Sequence, residues 1–288
     1  VMAYDFEKFI PKNMLAILEK HRVTTFCAPP TMLRMMIKQD ISQYDLSSIK
    51  HMTTAGEALN PEVYRQFEKA TGLQIMEGFG QTELTLMIAN LMGNSHKLGS
   101  MGKPTPLYNI GIVDNEGKPV KVGETGEIVV YAKRGENPAL FKEYYRNPEA
   151  TDNAWRFGMY HTGDTAYMDD DGYYWYVGRT DDLIKASGYR IGPFEIESIL
   201  MEHPSVLECA ITAADDAIRG KVVKATIVLA KGYTASPELA KELQNYVKQS
   251  TAPYKYPRIV EFVDELPKTI SGKIRRVEIR ENDSKKNS

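Results

Sequence analysis

Two cysteines in 288 residues, Cys27 and Cys209, stand far apart. That excludes a disulfide framework or a zinc knuckle, fits a reducing cytosolic compartment, and gives both thiols a structural reading. No apolar run reaches the roughly 18 residues of a membrane-crossing helix, and the start lacks the charge, apolar stretch and small-residue cleavage site of a signal peptide. The net charge of -2 leaves no basic stripe to follow a phosphate backbone, so nucleic acid is not expected as a partner. The histidines, His21, His51, His96, His161 and His203, show no HxxxH or HExxH spacing, which argues against a zinc hydrolase. Serine hydrolysis lacks a GxSxG elbow. SGK at Ser271 to Lys273 is no Walker A loop, because the upstream glycine is missing and Ile274 replaces Ser/Thr.

What is present is a chain 42% hydrophobic, long enough for a large core and more than one domain. From Pro11 to Gly80, amphipathic helical patterns (PKNMLAILEKHR, PTMLRMMIKQ, NPEVYRQFEKATG) alternate with short apolar runs (VTTFCA, IKHMTTA, LQIMEGFG). Pro30 and Pro61 suit first helical turns, and Asn60 an N-cap. The alternation predicts an α/β layer over residues 1–96, a parallel sheet with helices, with its ligand crevice at the strand C-termini near Gly56 and Gly78 to Gly80. Over 97–180, Gly, Pro and Asp punctuate short runs such as YNIGIVD, GEIVVYA, YHTGDTAYM and GYYWYVG, predicting a small β-barrel subdomain. Residues 181–288 read as a separate α+β C-terminal domain ending in a disordered tail, NDSKKNS. The boundary near Asp181 is short and polar, which suits a hinge.

Four runs carry candidate chemistry. In GFGQTE, Gly78 and Gly80 allow close backbone approach to a ligand, while Thr82 and Glu83 offer a hydroxyl and a carboxylate for a phosphate and its magnesium ion. In YHTGD, Asp164 reads as an exposed carboxylate between a strand and a turn, able to accept both hydroxyls of a ribose. In YVGRTDDLIKASGYRIG, Arg179 and Arg190 offer forks for anions. In PKTISGKIRR, Lys273 is a mobile amine able to reach into a cleft. Taken singly, a GxG is a common turn, a turn aspartate bonds its own backbone, arginines form surface salt bridges, and most lysines are solvated.

Together, TAGEAL, GFGQTE, YHTGD, YVGRTDDLIKASGYRIG and PKTISGKIRR resemble the adenylate-forming superfamily of acyl-CoA synthetases, luciferases and peptide-synthetase adenylation domains. GYRIGPFEIES and TAPYKYPR are most similar to the medium-chain acyl-CoA synthetases. The resemblance implies an AMP-forming ligase: a carboxylic (fatty) acid and ATP give acyl-AMP and pyrophosphate, then CoA takes the acyl group and AMP leaves. It implies that Gly56, Glu57 and Ala58 line the adenine with Gly78, Phe79 and Gly80 beside it. Thr82 contacts phosphate, Glu83 binds Mg2+, Asp164 and Arg179 hold the ribose, and Lys273 bridges carboxylate and α-phosphate. Asp181 is the hinge of a mobile small domain whose Ser187, Gly188, Tyr189 and Arg190 line the pantetheine tunnel. Acetyl-specific relatives carry a tryptophan where Gly80 stands, which implies a longer acyl chain here, with Leu84, Thr85 and Leu86 as candidate walls. The family's Ser/Thr/Gly-rich phosphate loop is not found before Gly56. The expectation is therefore a C-terminal fragment, poor in adenylation and self-associating through an exposed sheet edge. A catalytically silent nucleotide- or CoA-binding fragment, or an adenylation domain serving a carrier protein, are the alternatives.

Overall fold

In the computed structural model, residues 2, 4, 5, 9–186, 188–216, 219–269 and 272–286 are described. They form two compact units, 1–107 and 108–288.

The first unit begins with α1 (Pro11–Lys20), β1 (Thr25–Cys27), α2 (Pro30–Met36), β2 (His51–Ala55), α3 (Pro61–Thr71) and β3 (Ile75–Gln81). β4 (Leu84–Ala89) and β5 (Lys103–Pro104) follow, and the sheet order is β1-β2-β3-β4-β5. The first three strands pair in parallel, Phe26 opposite Met52 and Met52 opposite Ile75, while β4 and β5 run antiparallel. Each helix opens on proline, whose missing N–H costs nothing in a first turn. Asn60 caps α3 by accepting from the Glu62 amide at 2.8 Å, and Gly72, at φ 69°, ends it in the left-handed conformation. Val63, Tyr64 and Phe67 form the buried stripe of α3. They join Leu15, Leu33, Met36, Met52 and Ile75 in one core, where burying Phe67 alone contributes about 2–3 kcal/mol.

The second unit opens with β6 (Ile110–Val113), β7 (Gly126–Val130), α4 (Pro148–Ala154), β8 (Tyr160–Met168) and β9 (Tyr174–Arg179). The short antiparallel strands expected over 97–180 are present, but as a four-stranded sheet ordered β6-β7-β8-β9 rather than a small barrel: its end strands β6 and β9 do not pair with each other. Then come the hairpin β10 (Ile184–Ala186) and β11 (Tyr189–Ile191), α5 (Pro193–Glu202), β12 (Val206–Asp216) and β13 (Gly220–Leu229). α6 (Pro237–Ser250), β14 (Ile259–Phe262) and α7 (Arg276–Lys286) complete the unit. Alternation along β12 and β13 supplies two cores. Cys209, Ile211, Ala225 and Ile227 pack with Ile196 and Leu200 of α5 and Leu243 and Val247 of α6. Ala210 and Val228 pack instead with Leu266 and Ile279 of α7.

Two expectations change. The polar tail expected to be disordered belongs to α7 through Lys286, with Asp283 paired to the buried Lys224; only Asn287 and Ser288 lie outside the described residues. GFGQTE continues the run LQIMEGFG as expected: Gly78 to Gln81 end β3, and Thr82 and Glu83 turn the chain into β4. Cys209 is buried as a structural thiol, but Cys27 is exposed on β1, an end strand of its sheet, and has no packing role of that kind.

Candidate functional site

In the first unit, parallel pairing sets Ala55 opposite Gly78, so the turn at Gly56 emerges beside the glycines of β3. Gly56 has φ +94° and open space where a side chain would start, a conformation L-residues rarely adopt. Glu57 does not aim at a free crevice. Both its carboxylate oxygens accept from Thr31 Oγ1 at 2.9 Å, and Arg34 lies 3.6 Å away, so its side chain is engaged within the unit. A Cβ on Gly78 would sit 2.3 Å from Leu86 Cδ1, and one on Gly80 would sit 2.9 Å from the Thr85 carbonyl oxygen. These glycines let the two strands of the hairpin approach closely. Phe79 is half-buried between them, Thr82 is exposed and Glu83 half-buried at the turn. Of the candidate acyl walls, Leu84 is buried whereas Thr85 and Leu86 are exposed.

A residue the sequence reading passed over links the two runs. Glu77 is buried and its Oε1 accepts from the Leu59 amide at 3.0 Å, tying the segment after Ala58 to β3. Burial pushes its carboxyl up to about 8, against the smaller opposing effect of that amide. Only its place two residues before Phe79, in an apolar strand, could have flagged it.

In the second unit, Asp164 lies inside β8, directly opposite Arg179 of β9. The exposed turn carboxylate of the sequence reading is in fact 5% exposed, because the strand continues to Met168 and packs Asp164 beneath Tyr176. Tyr176 Oη donates to Asp164 Oδ1 at 3.1 Å and Arg179 Nη1 stands 3.7 Å from Oδ2. Burial, then the adjacent Asp164 charge, pushes the Tyr176 phenol well above its ordinary value, so it stays a donor. Burial disfavours the Arg179 charge, but Asp164 and Asp181 outweigh it and hold the guanidinium protonated.

Gly163 (φ +72°) turns the backbone just before Asp164, and its amide donates to Glu127 Oε1 at 2.9 Å. Glu127 also takes Arg156 and His161 Nδ1, the latter at 3.0 Å. Burial raises its pKa, but the His161 hydrogen bond and the Arg156 charge outweigh that and hold it below the ordinary carboxylate range. This support was not read from the sequence either.

The remaining residues are spread through the unit. Gly188 (φ +83°) turns β10 into β11 with no neighbour near its missing side chain, and Ser187 lies outside the described residues. Arg190 is exposed, with Nη1 3.4 Å from Asn115 Oδ1. Asp181, 64% exposed, meets only the nearby Arg179 Nε at 3.4 Å among the contacts seen. Lys273 is exposed on a tight turn, its amide donating to Thr269 Oγ1 at 3.0 Å and its carbonyl accepting from the Thr269 amide at 2.8 Å.

Residues 1–145 match the AMP-binding enzyme family, and residues 195–273 match the AMP-binding enzyme C-terminal domain. The chain belongs to the AMP-binding enzymes. Rat mitochondrial acyl-coenzyme A synthetase ACSM3 is 49% identical over 97% of this chain and 49% of its own length. Human mitochondrial ACSM4 is 47% identical over 98% of this chain and 49% of its own length, so the chain spans about half the length of the curated relatives it matches. The anthranilate CoA ligase AuaEII in complex with anthranoyl-AMP superposes with TM-score 0.87 at 36% identity, covering 95% of this chain and 52% of that one. A benzoate CoA ligase from Burkholderia xenovorans gives 0.82 at 33% identity, covering 95% and 54%. The mixed α/β fold with a parallel sheet is that of the adenylate-forming enzymes. No helix among the described residues is long and apolar enough to cross a membrane.

No cluster of three His, Cys, Asp or Glu side chains able to hold a metal occurs among the described residues. A single carboxylate such as Glu83 still fits a magnesium ion that takes its other ligands from nucleotide phosphates and water. Such an ion would neutralise phosphate charge.

Proposed function

We propose that this chain is the adenylate- and CoA-handling part of an acyl-CoA synthetase, converting a carboxylic acid, ATP and CoA into acyl-CoA, AMP and pyrophosphate through acyl-AMP. The observation that carries it is the buried Asp164 opposite Arg179, in a chain 49% identical to an acyl-coenzyme A synthetase. A ribose presents two adjacent hydroxyls, and Asp164 presents two carboxylate oxygens already oriented by Tyr176 and Arg179. The Glu127 cluster fixes the turn that aims them.

Gly56, Ala58, Gly78, Phe79 and Gly80 bound the adenine through backbone, Thr82 meets phosphate, and Glu83 takes the magnesium ion. Lys273 supplies positive charge where the acid and the α-phosphate meet, which counters the repulsion of two anions in the transition state. Asp181 is the hinge, and Gly188 and Arg190 flank the path of CoA. Gly80 leaves the acyl pocket open beyond acetate, so the substrates are medium-chain acids, each buried methylene adding about 0.8 kcal/mol. The end strand β1 offers unpaired backbone for self-association, which light scattering would register as a dimer. A reducing compartment suits both thiols, whether the cytosol or the mitochondrion named for the relatives.

The test is calorimetric binding of stable acyl-sulfamoyl adenosines, acetyl to dodecanoyl, to the chain and to Asp164→Ala. Affinity should rise with acyl length to an optimum and fall at least about tenfold in the variant. Equal affinity in the two proteins would remove Asp164 from the site, and affinity independent of acyl length would remove the medium-chain assignment.

A further inference from the structure

The turn that presents Lys273 is tied down at both arms by ion pairs. On the incoming arm, Lys268 Nζ meets Glu208 at 2.6 and 2.8 Å, and Lys268 bridges Ile274 across the turn. On the outgoing arm, the Arg275 amide donates to the Pro267 carbonyl at 2.9 Å, and Arg276 begins α7. Arg276 Nη2 reaches both oxygens of Glu197 at 2.8 and 2.7 Å, and Nε reaches Oε1 at 3.2 Å. Glu197 Oε1 also accepts from the Ile211 amide at 2.9 Å, which fixes this carboxylate against the sheet. Arg276 Nη1 then stands 3.7 Å from Asp182 Oδ2, while Arg280, one turn further along α7, meets Asp182 Oδ1 at 2.6 Å.

Two carboxylates and two guanidinium groups thus close a neutral cluster across three segments of the chain, the turn after β9, α5 and α7. Its members differ from their neighbour Asp181 in one respect that matters. The Asp182 side chain is 14% exposed and doubly paired, whereas Asp181 is 64% exposed and, among the described residues, pairs with Arg179 two residues away. A rotation about Asp181 therefore leaves the Asp182 cluster intact, so whatever moves beyond the hinge carries the Lys273 turn with it as one body.

We infer that Asp182, through Arg276 and Arg280, is a positioning residue that locks the Lys273 turn to the first residue after the hinge. Asp182 touches no substrate; it acts by holding the backbone from which Lys273 extends. This rests on the proposed ligase reading for its catalytic consequence, but not for its structural one.

The experiment uses Asp182→Asn, with Asp182→Glu as the conservative rescue and Arg280→Met as a second variant that spares the Glu197 to Arg276 pair. In the chain itself, hydrogen exchange at the Thr269, Lys273 and Arg275 amides should accelerate at least about tenfold in Asp182→Asn and Arg280→Met. The amides of β12 and β13 should not change, and Asp182→Glu should restore protection. In the ligase that carries this chain, kcat for ATP–pyrophosphate exchange should fall at least about tenfold with KM unchanged, while conversion of supplied acyl-AMP with CoA falls less than about twofold. Unchanged protection of the turn, or equal loss in the two half-reactions, overturns the assignment. Absence of pyrophosphate exchange in the unsubstituted ligase instead overturns the ligase reading, and the amide protection still decides the anchor.

Discussion

Replacing Glu77 with glutamine should remove most of the pH dependence of the first unit's stability. Glu77 is protonated in the folded chain until about pH 8, whereas an unfolded glutamate ionises near 4.5. Its folded pKa is raised, so the protonated carboxyl's contribution is fully present below pH 4.5 and is lost as pH rises through 8, because unfolding releases a proton throughout that window. The loss approaches about 1.4 kcal/mol per pH unit and is on the order of 5 kcal/mol across the window. Glutamine keeps an oxygen for the Leu59 amide but cannot ionise, so Glu77→Gln should match the parent near pH 5 and exceed it by several kcal/mol at pH 8. Fluorescence is blind to this region, since Trp155 and Trp175 both lie in the second unit. The assay is therefore hydrogen exchange of β2 and β3 peptides between pH 5 and 8, corrected for intrinsic rates. Equal pH slopes in the two proteins would refute the reasoning, since Glu77 would then be hydrated and ionised in the folded state.

Three further outcomes follow from the packing. Gly102→Ala should destabilise the first unit by about 3 kcal/mol or more, seen in the same exchange experiment, because at φ +98° its Cβ would lie 2.1 Å from the backbone of Ala89. Tyr176→Phe should cost about 1.5–3 kcal/mol in urea unfolding followed by fluorescence, since it deprives the buried Asp164 of a hydrogen bond to a charged acceptor. Lys224→Met should cost about 3 kcal/mol and expose α7 to proteolysis, because it strands Asp283 and Glu261; the 30% exposure of Glu261 lowers the figure from that of a fully buried pair.

How much of this was legible differs from element to element. α1, α2 and α3 were readable because prolines at their first turns and the Asn60 cap act within a few residues of themselves. In α6 the cap is of the same local kind, Ser236 Oγ accepting from the Leu239 amide at 3.1 Å. α7 was not readable, since RVEIRENDSKK buries few apolar side chains and takes its support from Lys224, Glu197 and Asp182, up to 98 residues away. GFGQTE was legible as the end of a strand and a place of close backbone approach, but not as one arm of a hairpin, because the pairing of β3 with β4 forms only once the chain turns back at Thr82 and Glu83.

By itself the sequence determined the alternation of helix and strand and the family, because these depend on local propensity and on ordered runs of residues. Tertiary structure alone decided that Asp164 is buried beneath Tyr176, that Glu77 holds its proton beside Leu59, and that Asp182 grips the helix following Lys273. Burial, proton affinity and ion pairing depend on partners distant in the chain, and those partners meet only once the sheets have closed.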